Sequence, residues 1–190
     1  AADNSYSWGN SYYVPNDGQF ARYATFAVNN PGELAGKDVS ILLYQWEGDL
    51  DDDFVANPDE YNNAPIAFNS YTFTGDEMGA ITVPVSVDEF GVALEGGNHY
   101  FVVVQYDADD DTNMEMVASD EHDYLGTYLR TDSLDAPRYA GMLDVGNTGE
   151  FSIVGFGFDV VPVMRLHVGD SPDLTTSAIT VLSPENTVEV

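Results

Sequence analysis

The sequence predicts an all-β chain folded as an antiparallel β-sandwich, jelly-roll-like, with an immunoglobulin-like sandwich as the alternative. Three observations predict it. Runs rich in Val, Ile, Phe, Tyr and Thr recur along the whole chain, and such residues suit a pleated, half-buried surface. Clusters of Gly, Pro, Asn and Asp separate the runs, about 10–20 residues apart. No segment keeps a helical period with caps at both ends.

The candidate strands follow in order. "QFARYATFAV" (Gln19–Val28) runs up to the turn signal "NNP", and "VSILLYQW" (Val39–Trp46) runs up to an acidic stretch. "IAFNSYTF" (Ile66–Phe73) stops at "TGDE", and "AITVPVSV" (Ala80–Val87) and "HYFVVVQY" (His99–Tyr106) come next. Met114–Ala118, Tyr124–Arg130 and Phe151–Phe156 are shorter candidates. In Val160–Val168, "VPVMRLHV" alternates well, with Met164, Leu166 and Val168 on one face and Arg165 and His167 on the other. Ala178–Leu182 is the last candidate. A count nearer eight to ten than seven favours the jelly roll over the immunoglobulin-like sandwich. Residues 1–170 are expected to form the sandwich. Residues 171–190 are expected to be a linker plus one terminal strand, a candidate for exchange with a neighbouring subunit.

The charge balance restricts the partners. The chain carries 33 Asp and Glu against 5 Lys and Arg, a formal net charge of −28 in 190 residues. Such a surface repels phosphate backbones and anionic lipid, which argues against nucleic acid and membrane surfaces as partners. It also repels itself, so salt or divalent cations must screen it. Aromatic residues make up 13% of the chain, far too many for an acidic disordered tail. Cysteine is absent, which removes disulfides and thiolate metal sites. No run reaches the roughly 20 apolar residues of a membrane-spanning helix. The opening "AADNSYSWGN" reads as a processed start, in keeping with export.

One acidic stretch has metal-ligand spacing. Counting from Asp49, Asp51 and Asp53 fall at the third and fifth places of a twelve-residue window, Val55 at the seventh, Asn57 at the ninth and Glu60 at the twelfth. Ca²⁺ takes six to eight oxygens, and a tightly wound loop supplies them as carboxylates, one backbone carbonyl (here Val55) and a closing bidentate Glu. The sixth place, normally Gly for the sharp turn, is Phe54, and a strand rather than a helix precedes the loop. A weaker second cluster, Asp107, Asp109, Asp111 and Asn113, follows the His99–Tyr106 run. It has neither the Gly nor the closing Glu. Calcium is the cofactor expected from the first window.

Catalytic signatures are missing. There is no G-x-S-x-G, no Ser-x-x-Lys and no H-E-x-x-H. With 33 acids, the two carboxylates that glycoside hydrolysis needs carry no information. His99, His122 and His167 are read as structural, and only His122, in "SDEHDY", lies close to acids in sequence. Trp8, Tyr12, Tyr13, Trp46, Tyr61 and Tyr71, helped by Asn62 and Asn63, are the candidates for an aromatic platform under pyranose rings.

The segments "SYYVPNDGQFARYATFAVNNP", "ILLYQWEGD", "DEYNNAPIAFNSYTFTG", "HYFVVVQYDADDDTNMEMVASDEHDY", "TDSLDAPRYAGMLDVGN" and "VGFGFDVVPVMRLHVGD" support a family resemblance. Over most of Ser11–Asp170 the chain resembles secreted proteins of marine Bacteroidota in which a β-rich domain precedes a type IX secretion sorting domain. "SPENTVEV" is similar to the lead-in to that sorting domain, whose Phe-Pro-Asn-Pro start does not follow here. The resemblance implies export and display outside the cell. It assigns no enzyme activity.

These readings lead to a non-catalytic extracellular structural or adhesion protein. It would be a calcium-braced sandwich that self-assembles by strand addition into a homo-oligomer such as a surface fibre or filament. The alternative is a carbohydrate-binding module of a secreted polysaccharide-processing system.

Overall fold

The computed structural model describes residues 5–46, 55–56, 64–88, 90–108, 110–119, 141–148, 151–153, 161–170 and 179–182. Twelve strands occur among them. They are β1 (Tyr6–Val14), β2 (Gln19–Ala27), β3 (Asp38–Trp46), β4 (Val55–Ala56), β5 (Ala67–Thr72) and β6 (Ala80–Pro84). The rest are β7 (Val92–Leu94), β8 (Asn98–Tyr106), β9 (Gly141–Val145), β10 (Phe151–Ile153), β11 (Met164–Asp170) and β12 (Ile179–Leu182). A 3₁₀ turn, Pro31–Leu34, joins β2 to β3, and no α-helix occurs among the described residues. None of these elements is a helix long and apolar enough to cross a membrane.

The strands form two antiparallel sheets. The seven-stranded sheet runs β4-β10-β9-β1-β8-β3-β5. The five-stranded sheet runs β12-β11-β2-β6, and β7 also pairs with β2. There β6 faces Tyr23–Ala27 and β7 faces Gln19–Ala21, so the two short strands share one edge of β2. The chain crosses between sheets at β1–β2, β2–β3, β5–β6, β7–β8 and β10–β11, the wrapping expected of a jelly-roll-like sandwich. The segment Ile179–Leu182 extends the smaller sheet by pairing with β11 of its own chain.

Alternation builds the core between the sheets. Tyr12 and Val14 of β1, Val39, Ile41 and Leu43 of β3, and Tyr100, Val102, Val104 and Tyr106 of β8 point inward from the larger sheet. Ala24 and Phe26 of β2, Ile81 and Val83 of β6, and Met164, Leu166 and Val168 of β11 meet them from the smaller one. The alternation of "MRLHV" is realised as read, with Met164, Leu166 and Val168 buried and Arg165 exposed. Asn69 closes one open side, its Nδ2 donating to the Pro84 carbonyl of the facing edge strand at 2.8 Å.

The larger sheet is buried on both faces near its middle. Leu42, Phe101, Val103 and Met142 lie outside the core cluster yet are almost inaccessible. Full burial of a side chain such as Phe101 contributes about 1.5–3 kcal/mol. Gly9 makes this possible, since a Cβ there would overlap the Phe101 ring, which lies against the β1 backbone.

Some expected elements differ. Met114–Ala118 is not a strand; it makes only isolated bridges, Val28 with Met116 and Ala118 with Pro162. Its backbone is shared between two neighbours: the Val117 N–H donates to Ala27, and the Val117 carbonyl accepts from Val163. The strand expected over Ala80–Val87 ends at Pro84, and one more backbone bond follows it, from the Val85 N–H to the Arg22 carbonyl at 3.0 Å. Tyr124–Arg130 lies outside the described residues. The sequence reading also left out β1, β4, β7 and β9.

Candidate functional site

The outer face of the seven-stranded sheet changes character along its strands. Register places Tyr13, His99 and Trp46 in one row, Ser11, Phe101 and Tyr44 in the next, and Gly9, Val103, Leu42 and Phe68 in a third. A fourth row is polar throughout: Ser7, Gln105, Ser40 and Ser70. Asp38 and Thr72 follow on β3 and β5. The aromatic end includes Tyr13, 38% exposed and in tilted ring contact with His99, centroids 5.1 Å apart. Phe68 is 51% exposed and sits on the edge strand β5, beside Ser70 on the same face. Same-face neighbours on a strand are ~7 Å apart and adjacent strands ~4.8 Å apart. Phe68 and the Ser70–Ser40–Gln105 row therefore frame an area about one or two sugar rings across.

A cleft of 240 Å³ opens at the polar end, lined by Gly36, Lys37, Asp38, Ser40, Gln105, Tyr106 and Asp107. Its charges are arranged by local bonds. Lys37 Nζ lies 2.6 Å from Asp110 Oδ2. Hydrogen bonds from the Lys37 ammonium and the Thr112 hydroxyl and N–H hold the Asp110 carboxyl down at about 2. The Thr72 hydroxyl donates to Asp38. Gln105 Nε2 donates to Asp107 Oδ2 at 3.1 Å. The cleft thus presents carboxylate acceptors, hydroxyls and an amide, while the one cation among its described lining residues is engaged at the rim.

The β9–β10 turn braces this end of the sheet. Gly146 and Asn147 adopt φ of 82° and 50°, left-handed backbone that Gly and Asn tolerate best. Asn147 then bonds to two other strands: Ser7 Oγ donates to its Oδ1 at 2.6 Å, and its Nδ2 donates to the Tyr106 carbonyl at 3.0 Å and to Asp107. Asp144, fully buried, accepts from the Thr148 N–H and hydroxyl and so fixes the turn from inside.

The expected site residues fall as follows. Asp49, Asp51, Asp53, Asn57 and Glu60 of the calcium window lie outside the described residues, and Val55 pairs with Ser152 in β4. In the second cluster Asp107 takes its donors from Gln105 and Asn147, the Asn113 carbonyl accepts from Asn30 at 2.8 Å, Asp111 is exposed, and Asp109 lies outside the described residues. Among the described residues no group of three or more His, Asp or Glu is placed to hold a metal ion.

The aromatic platform candidates separate by face. Tyr12 is buried in the core, and burial raises its hydroxyl well above the usual phenol range. Trp8 packs against the core, as does Tyr71, whose hydroxyl donates to Glu77 at 2.8 Å. Tyr13 faces outward, Trp46 stands opposite His99 in the register, and Tyr61, Asn62 and Asn63 lie outside the described residues. Phe68, Ser40, Ser70 and Gln105 are not among the expected site residues. The alternation of "AFNSYT" puts Phe68, Ser70 and Thr72 on one face, but nothing local joins them to Ser40 and Gln105.

On the smaller sheet, Thr25 Oγ1 lies 2.6 Å from His167 Nε2 and 2.8 Å from Thr82 Oγ1. Burial, then the nearby Arg165 charge, lowers the His167 pKa. His122 lies outside the described residues.

No protein-family model and no curated protein matches the chain. Solved structures share its fold, among them two clostridial ones. One holds the cysteine protease and lectin-like domains of Cwp84, a surface layer associated protein of Clostridium difficile, with a TM-score of 0.55 and 15% identity over 88% of this chain and 32% of that one. The other is the clostridial cysteine protease Cwp84 after propeptide cleavage, with a TM-score of 0.54 and 15% identity over 90% of this chain and 37% of that one. The chain therefore spans about a third of the length of those proteins. The part matched is the lectin-like domain, and the likeness is one of fold: an antiparallel β-sandwich similar to that domain.

Proposed function

We propose that this chain is a non-catalytic carbohydrate-binding domain of an extracellular or cell-surface protein, and that it takes glycan on the outer face of its seven-stranded sheet. The observation that carries the reading is the meeting of an exposed aromatic, Phe68, with the Ser70–Ser40–Gln105 row and the cleft beyond it. Sugars present an apolar ring face and a rim of hydroxyls. An aromatic plate takes the first, and side chains that both donate and accept take the second. These groups stand on paired strands rather than loops, so their spacing is fixed before any ligand arrives. The likeness in fold to a lectin-like domain supports the same reading, and the surface-layer association of that neighbour supports a place outside the cell.

Affinity electrophoresis through gels containing neutral glucan, galactan or mannan tests it. At least one gel is expected to retard the native chain, and Phe68→Ala is expected to weaken that retardation about tenfold, a loss of about 1.4 kcal/mol. Unchanged retardation by the Phe68→Ala and Gln105→Ala variants would place binding elsewhere. No retardation in any gel would remove the proposal.

A further inference from the structure

The same cleft carries a second message, about the charge of its ligand, and this step rests on the carbohydrate reading above. We infer that the site takes uncharged glycans and rejects those bearing carboxylate or sulfate groups. The first reason is local. Asp38 and Asp107 line the cleft, and a carboxylate accepts hydrogen bonds but donates none. A sugar hydroxyl can donate to them. A uronate or sulfate oxygen cannot, and it would bring one acceptor against another.

The second reason is the fate of the only cation among the described residues that line the cleft. Lys37 is the chain's single lysine, and its ammonium is turned to Asp110 at 2.6 Å. An acidic glycan would have to draw Lys37 away from a carboxylate already in place. Arg22 and Arg165, the other cations among the described residues, belong to β2 and β11 of the opposite sheet. The third reason is long-range. A chain of net charge −28 repels polyanions at distances up to the Debye length, ~10 Å in 0.1 M salt. All three effects act in one direction, and specificity built by rejection is a common device of binding sites.

Each neutral polysaccharide that retards the chain is compared with its own C6-carboxylated derivative, in 20 mM and 300 mM NaCl. The inference expects the carboxylated form to bind at least tenfold more weakly in low salt, with the gap narrowing in high salt. The double variant Asp38→Asn with Asp107→Asn is expected to narrow it further while melting within a few degrees of the native chain. Asn keeps an acceptor for Thr72 and Gln105, so the variant retains those bonds. A carboxylated form that binds as well as its neutral parent would overturn the inference and leave the carbohydrate reading standing. A gap unchanged in the double variant would overturn the role given to Asp38 and Asp107, by tracing the rejection to charges outside the cleft. Failure of every neutral polysaccharide to bind would remove the carbohydrate reading itself, and this inference with it.

Discussion

Asn147 joins three strands at the polar end of the sheet, and replacing it separates two physical effects. Asn147→Gly removes the side chain but suits a φ of 50°. Asn147→Ala removes the same bonds and adds the strain of an L-residue in the left-handed region, about 1 kcal/mol. The lost bonds are those with Ser7, with the Tyr106 carbonyl and with Asp107. The first two are half-buried and neutral and contribute about 1 kcal/mol each. The third is charge-assisted but exposed, which reduces it to about 0.5–1 kcal/mol. Asn147→Gly should therefore destabilise by about 2–3 kcal/mol and Asn147→Ala by about 3–4 kcal/mol. For a chain of this size, melting falls by about 2–4 °C per kcal/mol, so drops of roughly 4–12 °C and 6–16 °C are expected. Thermal melts followed by near-UV circular dichroism read this directly. A Gly variant that melts with the native chain would show that the three bonds contribute nothing net. Gly and Ala variants that melt together would remove the backbone part of the argument.

Two further expectations concern charge. Burial pushes the Glu77 carboxyl up, but bonds from the Thr74 N–H, the Tyr71 hydroxyl and the Thr74 hydroxyl outweigh it and bring the group down to about 2. A lowered folded pKa gives stability that is complete above about 4.5 and lost as pH falls toward 2. Urea unfolding at pH 6 and pH 3 should show Glu77→Gln destabilising at the higher pH and much less so at the lower; an equal effect at both would contradict the bond pattern. The calcium window supplies the other expectation. EGTA should lower the melting temperature at fixed ionic strength, and Asp51→Ala with Glu60→Gln should reproduce the effect without chelator. A native chain that melts identically with EGTA and with excess Ca²⁺ would remove the window as a metal site.

Much of the fold was legible because its central strands are long and rich in β-branched and aromatic residues. Eight expected strands have counterparts in β2, β3, β5, β6, β8, β10, β11 and β12. The strand β1, "YSWGNSYYV", was not legible, since Gly9 and Asn10 in mid-run look like a turn. In place, Gly9 makes room for the Phe101 ring and Asn10 donates to the Pro162 carbonyl at 3.0 Å, two tertiary reasons that local propensity does not contain. With β1 unassigned, its aromatics had no faces, so Tyr12 in the core and Tyr13 on the surface were grouped together. The short strands β4 and β7 exist through their partners rather than through propensity. The polar row could not be seen in sequence at all, because Ser40, Ser70 and Gln105 belong to three strands and meet only through the register. Phe68 points outward while Asn69 points in, against the hydrophobic rule, because Asn69 is needed to bridge to Pro84.

The most direct test is a backbone amide chemical-shift map of the native chain titrated with whichever neutral oligosaccharide binds. The account predicts that the saturable shifts gather on β3, β5 and the far end of β8, around Ser40, Phe68, Ser70 and Gln105, and spare β2 and β11. Saturable shifts gathered on the five-stranded sheet instead would contradict it.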